Sequence, residues 1–138
     1  MMRQTILILA VVASPLAAQN APALFDSTRT MPLSPGQWSY STSATGSEAR
    51  FGAMFSIRCD RAARLVTLRR TDVAASAMTI GTDLSVRTLP ADGVMATTDP
   101  ILDAIAFSRG RFSVSGGGSQ LVLPASPEAA RSIEDCRN

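Results

Sequence analysis

Two arginines flank a glycine in Ser108-Arg109-Gly110-Arg111-Phe112, the densest polar cluster of the chain. Guanidinium forks so placed, just past a short helix, can grip a carboxylate, a phosphate or a sugar acid with two parallel hydrogen bonds each. Arg109 and Arg111 are therefore the candidate ligand-binding residues. The competing interpretation makes Gly110 a helix cap and the arginines surface charges paired with Asp103 or with Glu134-Asp135. A second basic patch, Arg58, Arg61, Arg64, Arg69 and Arg70, gathers around an expected hairpin and could attract an anionic partner or simply form a solvated face.

The side chains that are missing narrow the chemistry further. All 13 basic residues are arginine, and the sequence contains no histidine. Without imidazole there is no Ser-His or Cys-His pair, and without lysine no Schiff base and no Ser-Lys dyad. Hydrolysis would have to rest on carboxylates. Asp99 and Asp103 are the best pair, spaced so that a helix aligns them as a two-carboxylate glycosidase would require. Asp99 is equally well placed as a helix cap and Asp103 as the polar face of that helix, so no catalytic residue is assigned. Gly116-Gly117-Gly118 lacks the Lys-Ser/Thr that completes a phosphate loop and suits a hairpin turn. No GxSxG, EF-hand spacing or metal-ligand cluster occurs, and no cofactor or metal is expected. With 11 acids against those arginines, the charge is too balanced to argue for nucleic acid.

Cys59 and Cys136 are the only thiols. Their setting follows from the first residues of the chain. Arg3 precedes an apolar run from Thr5 to Ala13, and Ser14-Pro15-Leu16-Ala17-Ala18 closes it with a helix breaker and small residues. That is the layout of a secretory signal peptide, expected to be cleaved after Ala18, and the run is too short to span a bilayer. In the oxidising periplasm, or outside the cell, an even pair of cysteines predicts a disulfide. Phe51, Ala53, Phe55, Ile57 and Cys59 alternate along an extended segment, and Ala129, Ile133 and Cys136 form one helical stripe, so both thiols should face the core.

The elements that must position these groups divide the chain into the signal peptide (1–18), a leader of low order (19–36) and one domain (37–138). Strands are expected around Trp38 and Tyr40, over 48–59, 64–70, 77–82, 84–89 and 94–97, and again over 111–115 and 120–123. Asp99-Pro100 and Ser126-Pro127-Glu128 each announce a helix, with a capping oxygen followed by a proline that loses no needed hydrogen bond. The expected fold is α+β: an antiparallel sheet, curled like a barrel around an apolar core, with a short helix at one end and a C-terminal helix pinned by Cys59–Cys136.

The segments 99–112 and 127–137, with the Trp38 and 55–68 regions, resemble a group of small exported proteobacterial proteins, a likeness that implies an address and a fold and no activity. The order of strands, short helix, hairpin and closing helix is also similar to that of the invasion-associated locus B proteins, which carry more than this single cysteine pair. No functional residue is transferred from either group. The expectation is a non-catalytic periplasmic or secreted binding or interaction module for an envelope protein or a small anionic ligand, without stable membrane insertion after cleavage. The alternatives are an envelope inhibitor of a hydrolase such as lysozyme and, third, a carboxylate-based hydrolase.

Overall fold

A computed structural model describes residues 26–138. The expected signal peptide lies outside the described residues. After a helical turn at 26–29, the chain forms β1 (Trp38–Thr42), β2 (Gly46–Phe51), β3 (Phe55–Asp60), β4 (Leu65–Arg70), β5 (Met78–Gly81), β6 (Val86–Leu89) and β7 (Val94–Ala96). Helix α1 (Pro100–Ala106), β8 (Arg111–Ser115), β9 (Leu121–Pro124) and α2 (Pro127–Asp135) complete it. The strands divide between a five-stranded sheet, β1-β2-β3-β4-β7, and a four-stranded sheet, β6-β5-β8-β9, and every pairing is antiparallel.

The α+β class stands, built as two open sheets around one core. Phe112 of β8 meets Phe55 of β3 edge-on at 6.1 Å, and Trp38 of β1 lies 5.4 Å from Phe51 and 6.3 Å from Phe112. The indole N–H of Trp38 donates to the Pro124 carbonyl at 2.8 Å, so this one side chain joins the sheets through both its apolar body and its polar tip. Arg70 makes a second tie between the sheets, donating from Nη1 to the carbonyl of Gly116 in the β8–β9 turn at 2.9 Å.

The segment expected as a single strand over 48–59 is a hairpin. Gly52 adopts φ +52, a conformation that L side chains disfavour, and β2 ends at Phe51. Phe51 and Phe55 then face one another as cross-strand partners, so both enter the core while Ala53 stays exposed at the tip. An odd-numbered apolar pattern passes through a tight turn unbroken, which is why alternation alone suggests one long strand.

Both helices start as their capping residues dictate. Asp99 accepts from the Ile101 N–H at 3.0 Å and Ser126 from that of Ala129 at 3.2 Å. Helix α2 lies on the inner face of β1, β2 and β3 with Ala129, Ile133 and Cys136 buried. Cys136 is bonded to Cys59 of β3 across a sequence separation of 77, with the Cα atoms 5.5 Å apart. Such a bond fits an oxidising compartment. Among the described residues, no helix is long and apolar enough to cross a membrane.

Residues 26–36, part of the expected leader of low order, are fastened to the four-stranded sheet. Thr28 is fully buried, the Ser34 N–H donates to the Val122 carbonyl at 2.9 Å, and the Val122 N–H returns a bond of 2.9 Å to Ser34 Oγ. Composition suggested a loose segment because its anchors are mostly backbone groups, and these leave no apolar periodicity.

Candidate functional site

The two faces of the five-stranded sheet have different fates. Ala49, Phe51, Phe55, Ile57, Cys59, Val66 and Leu68 point inward and are buried. The alternate residues point away from the core, toward a side where, among the described residues, no helix or second sheet packs. The strand registers order them into transverse rows. One row runs Ser39, Arg50, Ser56, Arg69, and the next runs Ser41, Glu48, Arg58, Thr67, Val94. Arg50 and Arg69 therefore stand directly opposite Ser56, on either side of it, and Arg58 lies two residues farther along the same strand face. Side chains directly opposite on neighbouring strands are about 5 Å apart at Cβ, and diagonal ones about 7–8 Å, so three guanidinium arms surround one hydroxyl.

Ser56 itself is only 5% exposed, although it belongs to the outward face. Its hydroxyl has no hydrogen-bond partner among the described residues, and neither do the guanidinium groups of Arg58 and Arg69. Arg50 holds only Glu48, at 3.2 Å, with the two side chains 45% and 30% exposed. A pair that exposed contributes less than about 1 kcal/mol and is easily opened.

A cleft of about 230 Å³ opens at the end of this face, where β1 turns into β2. Its lining includes Ser41, Thr42, Ser43 and Thr45, together with Glu48 and Arg58 from the second row. The β2–β3 spacing there depends on Gly46, where a Cβ would come within 1.8 Å of the Cys59 carbonyl oxygen.

The structure separates Arg109 from Arg111. The Arg111 guanidinium is occupied by the backbone, donating to the carbonyls of Met31 at 2.7 Å and Thr28 at 3.4 Å. Arg109 is exposed, its guanidinium has no partner among the described residues, and only its backbone N–H is held, by Asp83 at 3.4 Å. The predicted twin grip thus resolves into one strut and one free side chain. Neither arginine pairs with Asp103 or Glu134, which are bound instead by Arg137 at 2.8 and 3.0 Å.

The second basic patch also divides. Arg58 and Arg69 face outward, and Arg61 and Arg64 sit in the exposed β3–β4 turn. Arg70 is 5% exposed because alternation places it on the inner face with Val66 and Leu68. There it grips Asp72 with two prongs, at 3.0 and 2.6 Å, and those hydrogen bonds hold the Asp72 carboxyl below the usual carboxylate range against the opposing effect of burial.

The two carboxylates weighed for catalysis are likewise committed. Asp99 binds the Arg87 guanidinium and caps α1, and its pKa is lowered chiefly by the hydrogen bond from Arg87. On helix α2, Asp135 accepts from Tyr40, while the Arg131 guanidinium lies 4.3 Å from the Tyr40 ring centroid. Burial pushes the Asp135 carboxyl up, but hydrogen bonds from Tyr40 and Ser47 and the charges of Arg61 and Arg131 outweigh it, leaving the pKa lowered.

Alternation along 48–59 places Arg50, Ser56 and Arg58 on the face opposite Phe51, Phe55, Ile57 and Cys59. The expected hairpin groups Arg58 with Arg69, but Arg50 and Ser56 are not joined to that patch, because the Arg50↔Ser56 and Ser56↔Arg69 registers are invisible until the hairpins are built. The signal that could have found the cluster was the hairpin pairing of 55–60 with 65–70. No known family model, curated protein or solved structure matches this chain.

Proposed function

We propose that this protein is a non-catalytic binding module of the periplasm or the extracellular medium, which holds an anionic group on the outward face of its five-stranded sheet through Arg50, Arg58 and Arg69. The observation that carries this is the shaded, unpartnered Ser56 hydroxyl with arginines on both sides and a third along its strand. Two of these guanidinium groups have no partner among the described residues, and Ser56 supplies a neutral donor at the centre. Planar forks match the oxygens of phosphate, sulfate or carboxylate. Arg109, the exposed survivor of the pair expected from sequence, lies on the separate α1–β8 connection. Asp99, Asp103 and Asp135 are each held in structural hydrogen bonds or ion pairs, which favours a binding role over a catalytic one for these three carboxylates.

Titration with inorganic phosphate, followed by calorimetry and by the rise in melting temperature, tests the site. The expected result is saturable binding that weakens with added sodium chloride. Replacing both Arg58 and Arg69 with alanine should weaken it by about a hundredfold, since a hydrogen bond to a charged group contributes about 1.5–3 kcal/mol. Absence of saturable phosphate binding, or an unchanged affinity in a folded double variant, overturns the assignment.

A further inference from the structure

The hydroxyl-lined cleft adjoins the arginine cluster and shares Arg58 with it. We infer that this cleft is the subsite for a polyhydroxylated group of the same ligand, so that the ligand class is a sugar phosphate; this rests on the anion-binding role of Arg50, Arg58 and Arg69.

Three properties of the cleft point to a sugar ring. Its volume, about 230 Å³, falls below the range of about 300–1,000 Å³ typical of sites for drug-sized molecules and suits a single ring. Its lining repeats the chemistry of a polyol: Ser41, Thr42, Ser43 and Thr45 each offer a hydroxyl that can donate and accept. Glu48 and Arg58, opposite one another across β2 and β3, add a carboxylate acceptor, shared with Arg50, and a donor fork with no other partner among the described residues.

The turn that carries most of these hydroxyls is already organised. Thr45 donates its N–H to Ser43 Oγ at 3.3 Å, and the two side-chain oxygens lie 3.1 Å apart. Part of the ordering that would otherwise oppose binding is therefore present in the free protein. The geometry also sets an order along the ligand. Arg58 is common to both subsites, and Ser56 lies two residues from it, so the phosphate and the ring must be close neighbours in one small molecule.

The experiment compares inorganic phosphate, free glucose and the 6-phosphates of glucose, galactose and mannose by calorimetry on the wild-type protein and on a Ser41→Ala, Thr45→Val variant. Both substitutions are at exposed positions, and a retained melting temperature confirms the fold. At least one hexose phosphate should bind ten times or more as tightly as inorganic phosphate, with free glucose weakest. The double variant should lose that advantage and keep its affinity for inorganic phosphate. Equal binding of inorganic phosphate and all three sugar phosphates, or an advantage that survives in the variant, overturns the sugar subsite and leaves the anion site standing. If neither inorganic phosphate nor any sugar phosphate binds, the anion site falls and the sugar subsite falls with it.

Discussion

Arg69 and Arg70 are chemically identical neighbours with opposite roles. Residues along a strand alternate faces, so one must turn outward and the other inward. The inward one is tolerable because its charge is answered by both oxygens of Asp72 and its remaining donors reach the Gly116 carbonyl. Replacing Arg70 with alanine leaves that carboxylate and that carbonyl without their partner and is expected to lower stability by about 2–3 kcal/mol, measured by urea denaturation. Lysine at the same position should recover only part of the loss, since a single ammonium cannot reproduce the two-pronged grip. Equal stability of all three proteins would show that Arg70 is not the tie between the sheets. A run of basic residues therefore cannot be taken as a surface patch until the strand phase is assigned, and Arg70 shows how far such a patch shrinks once it is.

The elements were largely legible because each carries its own local signal. Asp99-Pro100 and Ser126-Pro127 mark the helix starts by oxygen and ring geometry, and both mark them correctly. Strand boundaries were harder. The apolar alternation from Phe51 to Cys59 continues through the Gly52 turn, so the β2–β3 hairpin was hidden by a pattern that both arrangements satisfy. The candidate site suffered most from this, since Ser56 acquires its arginine neighbours only through pairings on both of its sides. The Cys59–Cys136 bond was predictable from an even cysteine pair behind an expected signal peptide, supported by burial phase, and it joins α2 to the central strand β3. Removing it by Cys59→Ala and Cys136→Ala should lower stability by about 2–5 kcal/mol and make α2 the first region to lose amide-exchange protection. Uniform loss of protection across the sheet would instead show that α2 and the sheet open as one unit.

At the scale of the whole molecule, the pH response follows from what titrates. Asp72, Asp99 and Asp135 all have pKa values lowered from 3.8, so each binds a proton less readily in the folded state than in the unfolded one. Their contribution is complete above the unfolded value and disappears as pH falls through the folded values. With no histidine, no side chain of ordinary pKa titrates between about pH 5 and 8. The melting temperature is therefore expected to be level across that range and to decline below about pH 4, as read by scanning calorimetry; a decline already complete at pH 5 would contradict these assignments. The bracket formed by Ser34 around Val122 also matters beyond the single molecule. It occupies hydrogen-bonding groups on the outermost strand of the four-stranded sheet, which would otherwise be a template for another copy's backbone. A protease that clipped the chain just after that serine would loosen this guard and open the edge to backbone pairing by another copy.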